Sequence, residues 1–157
     1  MSKRIARRLD DATPRVGSSY PVQFQKSVEG RAKWPLGDLF DLDQFGVNLT
    51  ELAAGAASAL RHWHSAEDEF VYILEGSPVL VTDAGEETLS PGDCVGFKAG
   101  VEDGHCLINR TDQPIRYLEI GSRRLDIDRV GYPDVDLAVE PDGSGGRRFV
   151  HRDGTAY

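Results

Sequence analysis

Apolar residues in this chain come in short bursts. Segments 45–53, 59–64, 69–74, 78–82, 86–89, 94–97, 104–109 and 115–120 have strand character, with β-branched, aromatic and aliphatic side chains set among polar ones. Gly37, Gly46, Gly55, the polar patch 65–68, Gly76, and the turn formers at 83–85, 91–93 and 99–100 punctuate them. Their spacing of about eight to eleven residues is that of short strands in a sandwich or barrel. The runs Phe70-Val71-Tyr72-Ile73-Leu74 and Val79-Leu80-Val81 are too short for helices between such boundaries. Eight strands predict an all-β jelly roll, which closes its edges by folding two sheets on each other. No segment beyond about ten residues repeats its apolar positions at the helical period, so one helical turn near residues 3–9 is the only helix expected.

The flanks carry weaker signals. Residues 1–36 are expected to supply a strand or two that wrap the barrel, Tyr20-Pro21-Val22-Gln23-Phe24 being the clearest. Beyond Gly121, Val135-Asp136-Leu137-Ala138-Val139 and Arg147-Arg148-Phe149-Val150-His151 flank a Gly-rich stretch and read as a hairpin. No linker or internal repeat divides the chain. Residues 1–157 therefore read as one domain, with an N-terminal arm (1–44), a barrel (45–121) and a C-terminal extension (122–157).

Composition narrows the setting. At 157 residues and 39% hydrophobic, the chain can build a core without disulfide staples. Cys94 and Cys106 form no CxxC pair and are expected to be reduced core thiols. No run approaches a membrane span, and no apolar stretch follows the basic start to make a signal peptide, so a soluble cytoplasmic protein is expected. The net charge of -8 is uneven: residues 1–33 hold eight Lys and Arg against three Asp and Glu, and the remainder ten against twenty-three. Such a body should repel nucleic acid and anionic lipid, and Lys3, Arg4, Arg7 and Arg8 without interleaved aromatics read as a solvated terminus.

Chemistry concentrates at His62-Trp63-His64-Ser65-Ala66-Glu67-Asp68-Glu69. On a strand, His62 and His64 share one face. If 65–68 form a four-residue hairpin loop, Glu69 becomes the cross-strand neighbour of His64, and two imidazoles and a carboxylate converge. Imidazole with carboxylate suits divalent iron, manganese, nickel, copper or zinc. His105, which opens the strand 105–109 after a Gly-rich loop, is the chosen fourth ligand; His151 lies in the distant tail hairpin and receives no role. Three His and one Glu on an octahedral ion leave two positions open for water, substrate or dioxygen. Glu67 and Asp68 are alternative ligands, although carboxylates at a loop tip are usually solvated. Trp63, Phe70 and Tyr72 fall on the opposite face, where they could meet a second copy of the chain in a homodimer. Val71, Ile73 and Leu107 fall on the ligand face as core below the site. For a general base, Glu51 and Glu119 are the residues that simple strand parity would turn toward the cavity.

At these residues the chain resembles the cupin superfamily. Gly55, His62-Trp63-His64, Glu69 and Gly76 follow its first motif; Gly92, Lys98-Ala99-Gly100, His105 and Asn109 are similar to its second, with Lys98 in place of the motif proline and a longer interval from Gly100 to His105. The resemblance covers about residues 45–121. It implies a small double-stranded β-helix barrel with His62, His64, Glu69 and His105 as metal ligands. The flanks, notably 132–137 and 149–157, are similar to those of single-domain bacterial cupins loosely labelled sugar-phosphate isomerases. The expected function is that of a metal-dependent enzyme on a small polar metabolite, isomerase-like or dioxygenase-like, and the alternative is a non-catalytic cupin that binds metal and ligand for sensing or storage.

Overall fold

A computed structural model of the protein describes residues 5–157. Its strands are β1 (Arg15–Val16), β2 (Arg31–Pro35), β3 (Phe45–Leu52), β4 (Trp63–His64), β5 (Glu69–Glu75), β6 (Val79–Thr82), β7 (Gly85–Thr88), β8 (Cys94–Phe97), β9 (Cys106–Ile108), β10 (Ile115–Ser122), β11 (Val130–Gly131), β12 (Ala138–Pro141) and β13 (Arg147–Val150). They form a six-stranded sheet ordered β1-β2-β3-β10-β5-β8, a four-stranded sheet β13-β12-β11-β4 and a three-stranded sheet β7-β6-β9, with every pair antiparallel. This is the all-β barrel that the alternation of short apolar bursts and turns predicts.

Strand parity decides what fills it. Leu52, Val71, Ile73, Ile115 and Tyr117 of the six-stranded sheet meet Leu80 and Leu107 of the three-stranded sheet in one core cluster. Leu52, Ile73 and Ile115 are fully buried, each contributing about 1.5–3 kcal/mol of transfer free energy. A second cluster joins Tyr20 and Val28 of the N-terminal arm to Val130, Tyr132, Leu137 and Val139. The alternate positions Phe70 and Tyr72 point outward and are exposed. Cys94 lies on that outer face, opposite Tyr72, and is an exposed free thiol rather than a core one, because the pleat turns its neighbour Val95 inward. Cys106 is buried as expected.

The N-terminal arm departs from its expected form. Residues 20–24 are not a strand: Val22–Gln25 form a short helix, α1. Pro21 has no N–H to give to a ladder, its carbonyl accepts the Phe24 N–H at 2.8 Å, and the Gln25 amide holds the Tyr20 carbonyl at 3.0 Å. The wrapping strand is instead β2, paired along β3 from Arg31↔Leu52 to Pro35↔Asn48. The helical turn appears later than expected, as a 3-10 turn at Leu9–Asp11. Lys3, Arg4 and the start of the predicted turn lie outside the described residues. The tail hairpin forms from β12 and β13, closed by the Asp142 N–H on the Gly146 carbonyl at 3.0 Å; it begins at Ala138 rather than Val135.

Candidate metal centre

Segment 57–64 is not one continuous strand but changes partners along its length. Ala57 bridges Ile108 and His62 bridges His105 at the edge of the three-stranded sheet, and two residues later His64 pairs with Val130 of the four-stranded sheet. His62 and His105 exchange both backbone hydrogen bonds, at 3.1 and 2.9 Å. They are directly opposed, so their side chains emerge on the same face. Parity then returns His64 to the face of His62.

Glu69 arrives by another route than the sequence suggests. β4 and β5 do not pair; β5 lies between β10 and β8 in the six-stranded sheet, and 65–68 carry the chain from one sheet to the other. The expected hairpin is absent because Ser65 is already engaged with Arg129: its N–H donates to the Arg129 carbonyl and its hydroxyl accepts the Arg129 N–H. The four side chains meet nonetheless. Glu69 Oε2 lies 2.9 Å from His105 Nε2, 3.5 Å from His64 Nε2 and 3.6 Å from His62 Nε2. Neighbouring donors on one ion with bonds of about 2.1 Å lie about 3 Å apart, so the spacing suits a single divalent cation.

The surrounding hydrogen bonds set which atoms face the centre. His62 Nδ1 donates to the Leu60 carbonyl at 2.9 Å, and His64 Nδ1 faces the Asp128 carboxylate at 2.7 Å. With protons held at Nδ1, both rings turn an Nε2 lone pair toward the Glu69 carboxylate. Lone pairs converging on a carboxylate oxygen are a donor set that a cation satisfies. His105 is braced differently, by Phe97 stacked on its ring at 3.4 Å between centroids.

Electrostatics acts differently on each group. Burial, the largest influence, pushes the His62 imidazole down to about 4, so it is neutral and able to ligate at neutral pH. Burial also acts to lower His64, but the Asp128 hydrogen bond and the nearby Glu69, Asp128 and Glu67 charges outweigh it and hold its pKa above the usual histidine value. For Glu69, burial opposes ionisation, yet the His105 hydrogen bond and the three imidazoles hold it well below the ordinary carboxylate range.

A second group, His64, Glu67 and Asp128, also draws together. The Arg147 guanidinium lies 2.8 Å from Glu67 and 3.0 Å from Asp128, so these carboxylates already have their cation. Glu67 is thus not a solvated loop-tip carboxylate but a buried one, held also by the Arg124 N–H at 2.6 Å. Nothing in the sequence singles out Asp128 or Arg147: 122–129 carry no periodicity to place Asp128, and the hairpin strand that holds Arg147 gives no sign of which segment it packs against. Asp68 stays outside the cluster, exposed and capping the Ala99 N–H. His151 pairs with Asp136 at 2.8 Å and stacks on Tyr157, away from the site.

The centre opens into a cavity of about 560 Å³ whose wall includes His62, His64, Glu69, His105 and Glu119. Glu119 accepts from Lys33 Nζ at 2.7 and 2.9 Å and from Asn48 at 3.3 Å. Glu51, the other expected base, lies on the opposite parity of β3 and pairs with Arg116 at 2.8 Å, so it does not face the cavity. Asn109, matching the end of the second motif, is structural: its Nδ2 lies 2.8–3.0 Å from the carbonyls of Leu52, Ala53 and Gln113.

Comparison with known proteins agrees with this architecture. The Cupin domain family matches residues 48–121. A sugar phosphate isomerase of the cupin superfamily from Silicibacter pomeroyi is 43% identical over 96% of this chain and 94% of its own, with a TM-score of 0.90. A protein from Acidithiobacillus ferrooxidans that carries the same designation provisionally is 30% identical over 81% of this chain and 80% of its own, with a TM-score of 0.72. The polyketide cyclase RemF from Streptomyces resistomycificus shares the fold, at 23% identity and a TM-score of 0.61. No curated protein matches the sequence. With both motifs folded around one cavity and a relative this similar along nearly the whole length of both chains, the protein belongs to the cupin superfamily.

Proposed function

We propose that the protein is a metal-dependent enzyme acting on a small polar metabolite, with His62, His64, Glu69 and His105 holding a divalent transition ion, and that its reaction is an isomerisation by proton transfer. The observation that carries this reading is the convergence of three imidazole Nε2 atoms within 3.6 Å of one carboxylate oxygen, at the wall of a cavity large enough for a small metabolite. Iron, manganese, nickel and zinc all accept this donor set. A divalent ion there supplies Lewis acidity toward a substrate carbonyl.

Glu119 and Lys33 favour isomerisation over oxygen chemistry. Glu119 lines the same cavity and stands beside Val71 in the ladder, two residues from Glu69 along β5. Its carboxylate takes the proton from the hydroxyl-bearing carbon next to the carbonyl and returns it to the former carbonyl carbon, while the proton of that hydroxyl passes to the carbonyl oxygen. Lys33 and Asn48 hold that carboxylate in place. The sugar phosphate isomerase designation of the Silicibacter pomeroyi relative supports the same class.

The test combines elemental analysis with turnover. Protein reconstituted with iron or manganese should carry stoichiometric metal that His62→Ala and Glu69→Gln lose; these variants also control for adventitious binding to the acidic surface. Interconversion of aldose and ketose phosphates should disappear in Glu119→Gln while its metal stays. Metal-loaded wild type that binds such sugars without converting them would leave a binding protein, and substrate-dependent consumption of dioxygen would replace the isomerase by an oxygenase.

A further inference from the structure

Five Arg and Lys side chains line the cavity against three carboxylates, although the whole chain carries a net charge of -8. Four of the five are already paired. Arg15 and Arg123 hold Asp38 at 2.6 and 2.8 Å, Lys33 holds Glu119, and Arg147 holds Glu67 and Asp128. Arg31 is the exception: among the described residues no carboxylate lies within ion-pair distance of its guanidinium. It donates only to the carbonyls of Ser58 and, at 3.4 Å, Gly17. A guanidinium carries five N–H groups, so most of its donor capacity is left for a ligand. A half-buried cation ordinarily has a counter-charge.

The neighbourhood supplies further donors from separate segments. Ser18 and Ser58 line the same cavity. Each hydroxyl oxygen already accepts a backbone N–H, from Tyr20 at 3.0 Å and Leu107 at 2.9 Å, which frees its O–H to donate. Tyr117, 1% exposed, also lines the cavity, and its buried hydroxyl lies near that of Thr50, its cross-strand neighbour, outside strict hydrogen-bond geometry. A forked cation with hydroxyl donors from three other segments offers more than the two oxygens of a planar carboxylate can take, and fits the three terminal oxygens of a phosphate.

We propose that Arg31, with Ser18, Ser58 and Tyr117, is the anchor for the phosphate of a phosphomonoester substrate in this cavity. The inference deepens the proposed function, since it takes the cavity as the substrate site, but it does not depend on the metal.

Calorimetric titration with glycerol phosphate tests it. Wild type should bind, Arg31→Gln should bind at least tenfold more weakly, and Arg110→Gln, an equal charge change at the exposed pair with Glu86, should match wild type. Should Arg31→Gln fail to fold, Arg31→Lys serves in its place, because an ammonium cannot replace the fork and should weaken binding several-fold. Equal affinity in wild type and the folded Arg31 variant, or no binding to wild type, overturns the proposal, and acetate binding as tightly as glycerol phosphate overturns the choice of phosphate. A protein that takes metal but not phosphate defeats this inference alone, and one that takes phosphate but no metal defeats the metal reading alone.

Discussion

His64 uses both ring nitrogens, one toward the ligand cluster and one toward a carboxylate that is itself fully buried. Asp128 accepts from His64, from the Ala66 N–H at 2.9 Å and from Arg147, so it fixes the tautomer of a candidate ligand from outside the cluster. Asp128→Asn keeps the shape but removes the charge that holds the proton on Nδ1. Its metal affinity should fall by about 10–100-fold, read by competition with a chromophoric chelator, and an unchanged affinity would show that Asp128 does not orient His64. Motif spacing named the four candidate ligands, but parity accounts only for His62 and His64; Glu69 reaches them from another sheet and not across the expected hairpin. Asp128 and Arg147 were not legible in the sequence, because their place depends on which sheet their segments join, and no alternation records that choice.

Among the elements, the tight link between β5 and β6 is the most sensitive to substitution. Gly76 adopts φ +79, and a Cβ there would stand 2.4 Å from Cγ2 of the fully buried Ile115. Left-handed backbone and a clash with core that cannot move combine in Gly76→Ala, which should lose about 2–4 kcal/mol. The melting temperature should drop by roughly 5–10 °C; a drop of a degree or less would mean that Ile115 yields more readily than a packed core should. The eight central strands were readable because period-two alternation and glycine punctuation are properties of neighbouring residues. Pairing was less so: the switch of residues 57–64 between two sheets rests on partners more than forty residues away, and in 20–24 the apolar pattern lost to the missing N–H of Pro21.

At the scale of the molecule, Arg61 ties the central strands to the C-terminal extension. Its guanidinium holds Asp83, the Gly104 carbonyl and, at 2.8 and 2.9 Å, both oxygens of Asp134. The Arg61 hydrogen bond, with its charge, holds the Asp134 carboxyl below its ordinary pKa. A carboxyl depressed in the folded state stabilises above its unfolded pKa of about 3.9 and loses that contribution as pH falls through the folded value. Asp134→Asn should therefore melt below wild type at pH 6–7, with the gap closing in strong acid; a gap constant with pH would assign the effect to packing instead. The pairing of β11 with β4 has a comparable reach, since the strand that carries His64 finds its ladder partner at Val130, beyond the 48–121 stretch that matches the Cupin domain family. For protein engineers, the unit to graft or recombine with the candidate metal pocket is therefore not the motif-bearing barrel alone but the barrel together with the C-terminal extension that carries β11.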